Sequence, residues 1–76
     1  SVSVLGRLHF ELVRIGAPDP NDDEVYRIAH VINVSEMAAR IHATRESTSR
    51  ALSRLKQIGI VSTENGGMRV IAPRLE

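Results

Sequence analysis

The sequence predicts an α+β domain: three helices, a short strand after the first of them, and a C-terminal β-hairpin. Three observations carry that prediction. Apolar residues recur at helical spacing up to Ile15. Two segments with helix-capping residues at their starts follow one another, with only a tight turn between them. Near the end, two β-rich runs flank Asn65-Gly66-Gly67, a strong short-range hairpin signal.

Leu5, Leu8, Leu12 and Ile15 form the stripe of the first helix, expected over about residues 3–15, with Val4 and Phe10 nearby. Gly16 is a plausible cap, and Pro18 and Pro20 stop the helix from continuing. Residues 18–24 read as a polar, acidic loop. Residues 25–32 are rich in β-branched side chains and read as the short strand, with Ile28, His30 and Ile32 on one face. Asn33 then serves as an N-cap, and Glu36 three residues later gives a capping-box arrangement. Met37, Ala38 and Ile41 supply the apolar face of a second helix, from Val34 to about His42. Thr44 caps the third, expected over residues 45–58, with Thr48, Leu52, Leu55 and Ile58 inward and Gly59 as its C-terminal cap. Strands at residues 60–64 and 68–72 follow, the second ended by Pro73. Two helices joined by a short turn make a helix-turn-helix, and the hairpin behind it makes a wing, so the class is a winged helix-turn-helix.

The chain has 76 residues, which suits one small domain over residues 1–76. Its start lacks the basic-then-apolar pattern of a signal peptide, and lacks an initiator Met, so a fragment of a longer protein is expected. With no cysteine, disulfides and thiolate metal sites are excluded within these residues. No apolar run approaches the roughly 18 residues needed to span a bilayer, so no membrane partner is expected. Phe10 and Tyr26 are the only aromatic residues, so the core must be aliphatic. That scarcity also argues against base stacking on an aromatic platform. Paired carboxylates, a nucleophile–base set and a phosphate-cradling glycine loop are all missing, so an enzyme is not expected. His9, His30 and His42 lack metal-ligand spacing and read as structural or surface residues. Asp22-Asp23-Glu24 lacks the alternation of a calcium loop.

Net charge is only +1, but it is unevenly spread. Between Arg40 and Lys56 stand Arg40, Arg45, Arg50, Arg54 and Lys56 against one acid, Glu46, a local net of +4. Such a stripe suits a phosphate-binding surface, although a solvated helix face explains charge alone equally well. The third helix has two chemically different faces. Thr48, Leu52 and Leu55 turn inward, whereas Arg45, Glu46, Ser49 and Arg50 share the outward side of its first two turns. A guanidinium can donate two hydrogen bonds to guanine, and a carboxylate can accept from cytosine N4. Arg45, Glu46 and Arg50 are thus able to distinguish base pairs. The plainer explanation is an i, i+4 ion pair between Glu46 and Arg50 on an ordinary surface helix.

The segment from Met37 to Leu55, with Glu36-Met37-Ala38 and Arg45-Glu46-Ser47-Thr48-Ser49-Arg50 within it, resembles the helix-turn-helix of the catabolite activator (Crp/Fnr) family. Members typically show E-L-A, a turn, then R-E-T-V-S-R and L-x-x-L, and Gly59-Ile60-Val61 is similar to their entry into the wing. The similarity covers roughly residues 33–71. It implies base reading by Arg45, Glu46 and Arg50 in the major groove of double-stranded DNA, at palindromic sites whose half-sites contain an element such as TGA. Auxiliary or phosphate contacts are expected from Asn33, Ser35, Thr44, Ser47, Ser49, Arg54, Lys56 and Arg69. For Asn33 plain capping, and for Arg69 plain solvation, explain the residue at least as well. Ser47 replaces a frequent Thr and Thr48 an apolar residue. His42-Ala43 stand where an apolar residue and Gly are usual, which puts strain from a positive φ at Ala43 in question.

The resemblance further implies a cytoplasmic transcription regulator that works as a homodimer, with a long dimerisation helix and an upstream cyclic-nucleotide-type β-barrel. Any effector, a cyclic nucleotide being the candidate, would bind there, and no cofactor is expected in these residues. RNA polymerase is a candidate partner of the acidic loop, whose composition solvation explains equally well. Two alternatives stand beside this reading: a winged helix that binds protein, and a winged-helix regulator of another family. The first predicts an exposed apolar patch and no salt-sensitive DNA binding.

Overall fold

The computed structural model describes residues 2–74. Its order is α1 (Val4–Ile15), β1 (Ala17–Asp19), β2 (Asp22–Ile28), α2 (Val34–Arg40), α3 (Arg45–Gln57), β3 (Val61–Glu64) and β4 (Gly67–Ile71). The four strands form one antiparallel sheet in the order β1-β2-β4-β3. The class is the expected one, a winged helix-turn-helix, with one more strand than the sequence suggested.

That strand corrects the reading of residues 18–24 as a loop. Ala17 and Pro18 pair with Arg27 and Tyr26, so the segment is the first arm of a hairpin. Proline lacks the N–H that a central strand needs, but β1 is an edge strand, where that absence is tolerated. The acidic residues shape the connection: Asp19 Oδ1 accepts from the Asn21 N–H at 2.7 Å, and Asp22 Oδ1 from the Glu24 N–H at 3.0 Å. The next strand begins earlier than expected and ends at Ile28, not Ile32. Its partner β4 starts at Gly67, and the last ladder pair is Ile28 with Met68, so nothing remains for His30 or Ile32 to pair with.

The core is aliphatic, as the composition requires. Leu8 and Leu12 of α1 meet Met37 and Ile41 of α2, Ala51 and Leu55 of α3, and Ile28, Val61, Met68 and Val70 of the sheet. Phe10 stays outside, 70% exposed. Thr48 is a polar member of the buried set at 1% exposure. Its hydroxyl donates to the Thr44 carbonyl at 2.8 Å, which removes the penalty for burying an unpaired group. Ile58 is 48% exposed and does not extend the inward stripe; Ala51 is buried instead. The backbone leaves the helix at Ile58, and the next apolar residue, Ile60, packs against the core in its place.

Both helices of the helix-turn-helix end in the same hydrogen-bonded turn. After α3 the Gly59 N–H donates to Lys56 O at 3.1 Å and the Ile60 N–H to Leu55 O at 2.9 Å. After α2 the His42 N–H donates to Ala39 O at 3.3 Å and the Ala43 N–H to Ala38 O at 3.0 Å. These are Schellman motifs, whose C′ residue takes a left-handed conformation. Gly59 does so at φ 82, and His42 at φ 56. The positive φ therefore falls on His42 and not on Ala43. A left-handed residue with a Cβ costs roughly 1–2 kcal/mol. His42→Gly is accordingly expected to stabilise the domain by about 1 kcal/mol, raising its thermal midpoint by roughly 4–8 °C. Ala43→Gly, at a position without that strain, should give no gain in the same melting experiment.

Candidate nucleic-acid interface

The site is built on the start of α3. Thr44 is its N-cap: Thr44 Oγ1 accepts from the Ser47 N–H at 3.1 Å and donates to Ser47 Oγ at 2.9 Å. Replacing such a cap by alanine typically costs about 1 kcal/mol. Thr44 and Ser47 thus hold the first turn in place, and the Ser47 hydroxyl proton stays available to a ligand. Behind them Thr48, Ala51 and Leu55 anchor the helix in the core. The opposite side carries Arg45, Glu46, Ser49 and Arg50, all exposed, and these four line one open concavity of about 400 Å³ together with Val34.

The ionic character of this surface differs from a plain reading of the charge stripe. Arg40 belongs to the domain's own scaffold: it pairs with Glu11 of α1 at 3.3 Å and lies 3.8 Å from Glu36. Glu11 also holds Arg14 at 2.5 Å. The Arg14 hydrogen bond above all, aided by Arg40 and opposed by partial burial, keeps the Glu11 carboxyl below the usual carboxylate range. Arg27 is similarly occupied, by Asp19 at 2.5 Å and Glu64 at 2.9 Å, and Arg74 by Asp23.

Among the described residues, no ion pair includes Arg45, Glu46, Arg50, Arg54, Lys56 or Arg69. The Glu46–Arg50 pair of an ordinary surface helix is thus not formed. Arg54 is engaged only with Gln57, to which it donates at 3.1 Å. On α3 this leaves four cationic side chains and one carboxylate without an ionic partner among the described residues.

The other expected contacts are placed unevenly. Asn33 caps α2, its Oδ1 accepting from the Glu36 N–H at 3.0 Å, and Ser35 is exposed one residue into that helix. Arg69 is half-buried in mid-strand, opposite Arg27 on one side and Ser62 on the other, on the strand face alternate to buried Met68 and Val70. It does not belong to the concavity beside α3.

Two residues of this surface escape a reading by charge. Val34 lines the concavity although it is apolar. Ser53 is exposed four residues after Ser49, and helical spacing alone is enough to place it on the same side.

At the wing, Asn65 and Gly66 take φ 51 and 78, positive at both central positions as a type I′ turn requires. Gly67 is not part of the tip but a buried strand residue, where a Cβ would stand 2.1 Å from Ile28 O.

The family model that matches this chain is the Crp-like helix-turn-helix domain, over residues 6–75. No curated protein matches the chain.

Proposed function

Since the chain belongs to the Crp-like helix-turn-helix family, whose domains bind DNA in transcription regulation, we propose that it reads specific base pairs through α3 in the major groove. One observation carries this reading. Arg45, Glu46 and Arg50 stand side by side on the solvent face of the first two turns, lining one concavity, with no ion pair of their own among the described residues. In a groove, Arg45 and Arg50 supply forked donors for guanine O6 and N7, and Glu46 an acceptor for cytosine N4. The dipole of α3 and the free N–H groups of its start favour a nearby phosphate. Ser35, Ser47, Ser49, Arg54 and Lys56 surround the reading residues as sequence-independent contacts, and Asn33 contributes mainly as a cap. Arg69, which does not line the concavity, stands in this reading as a backbone contact from the wing.

A two-fold dimer on a palindromic site, RNA polymerase as a partner of the acidic hairpin, and an effector domain elsewhere in the protein complete the proposal on the strength of family resemblance. The protein-binding alternative requires an apolar face. The apolar surface nearest this description is at Val2 and Phe10, in a groove between α1 and the turn, and not on the outward face of α3.

A salt titration with a duplex selected from a random pool tests the reading. Affinity should fall linearly on a log–log scale, with a slope of about −0.9 per phosphate neutralised. Lys56→Ala should weaken selected and scrambled duplexes alike and reduce the slope by about 1. Salt-insensitive binding, or an equal affinity for every sequence, would contradict it.

A further inference from the structure

Four of the five residues around the concavity beside α3 end in polar or charged groups; the fifth is Val34. It is the first residue of α2 and half-buried. Its position is set on both sides. The Asn33 side chain closes the helix start just before it, and Met37 and Ala38 fasten the next turn into the core. A β-branched side chain is stiff at χ1, and Val34, half-buried beside Arg45, Glu46, Ser49 and Arg50, offers them an apolar wall. Nothing polar on a base edge gains from such a wall. The major-groove edge of a base pair carries one apolar group, the C5 methyl of thymine.

We propose that Val34 is a specificity-determining residue that receives a thymine C5 methyl in this concavity, beside the base edges met by Arg45, Glu46 and Arg50. The proposal rests on the major-groove reading of α3. It adds to that reading a base preference set by apolar contact, contributed by α2. A cytosine or purine at the same position leaves the Val34 methyl groups against hydrogen or a polar edge, and the contact is lost.

Deoxyuridine differs from thymidine by that methyl alone, which makes the test direct. Duplexes selected by this chain are resynthesised with each thymine in turn replaced by deoxyuridine, and binding is followed at low ionic strength by fluorescence anisotropy. One thymine per half-site is expected to be sensitive, its replacement weakening the unmodified chain about three- to fivefold, the factor for one buried methyl-sized group. In Val34→Ala the same replacement should have no effect, and selection with that variant should lose its thymine preference there. Val34→Thr keeps the branched shape and the fold if alanine does not, and it should show a reduced deoxyuridine effect.

A flat deoxyuridine scan in a chain that still discriminates through Arg45 overturns the role of Val34 alone. So does a deoxyuridine effect that persists undiminished in a folded Val34 variant. A chain that selects no sequence overturns the major-groove reading, and this proposal with it. If Val34 merely packs α2 onto α3, substitutions change the melting temperature and leave the coupling to the thymine methyl at zero.

Discussion

Arg45→Ala is expected to lower the affinity for a selected duplex about tenfold to a hundredfold, and to erase the base preference at one position per half-site. The magnitude follows from a bidentate guanidinium–guanine pair, which discriminates by about 1–3 kcal/mol. The side chain is exposed and makes no ion pair among the described residues, so its removal leaves no buried partner unsatisfied. Thermal stability should therefore stay within about 0.5 kcal/mol of the parent. Affinity for scrambled duplexes should drop only by the share of one cation. Selection from a random pool, run in parallel with the variant and the parent, checks both parts. An unchanged base preference in the variant would remove Arg45 from the reading set. Arg45→Lys is an informative companion, since a single ammonium keeps the charge but not the fork.

The second large effect concerns folding. Gly67→Ala is expected to destabilise the domain by about 3 kcal/mol or more. The added carbon would lie 2.1 Å from Ile28 O, 2.8 Å from Ala29 C and 3.0 Å from Ala29 O. These are backbone atoms at the end of β2, and they move only by disturbing the ladder that joins Ile28 to Met68. A domain of this length has roughly 4–11 kcal/mol of stability in all, at about 0.05–0.15 kcal/mol per residue. Each kcal/mol shifts its midpoint by roughly 4–8 °C. A fall of more than about 10 °C, or failure to fold, should be seen in a circular-dichroism melt. Gly66→Ala is the control. A Cβ there meets open space, but φ is 78, so the cost should be limited to backbone strain of about 1–2 kcal/mol. Equal effects at the two glycines would refute the close-approach argument.

These two glycines illustrate what the sequence can convey. Asn65-Gly66 announces a hairpin tip, because the chemistry of positive φ is local. The role of Gly67 depends on a backbone nearly forty residues away in sequence, and its neighbours in the chain carry no trace of that. The same division runs through the fold. The N-caps Asn33 and Thr44, the Gly59 terminus and the leucine stripe of α1 all depend on residues within a turn of one another, and all were legible. β1 was not, because Pro18 and Pro20 are poor strand residues, and only an edge position beside Tyr26 accommodates Pro18. The sequence carries the second helix to about His42 and puts the question of positive φ on Ala43, whereas His42 takes it, histidine being among the side chains that tolerate the left-handed region.

At the candidate site, residue types and spacing were enough to place Arg45, Glu46 and Arg50 on one face. Which cations are engaged elsewhere was not legible. Arg40 meets Glu11 across 29 positions, and Arg27 meets Glu64 across 37. Val34 carries no such signal, because a valine at the start of a helix reads as packing, and its place beside α3 depends on the angle between two helices.

The partnering of Arg14, Arg27 and Arg40 with carboxylates bears on how the molecule comes upon its target. Over these 76 residues the formal charge is only +1, so attraction to a polyanion comes from how the charge is distributed and not from its sum. Attraction sets in once the uncovered guanidiniums of α3 come within a screening length of the phosphates, roughly 8–10 Å in ordinary buffer. On the proposed reading, discrimination between stretches of duplex should then show in how long the visitor stays more than in how often it arrives.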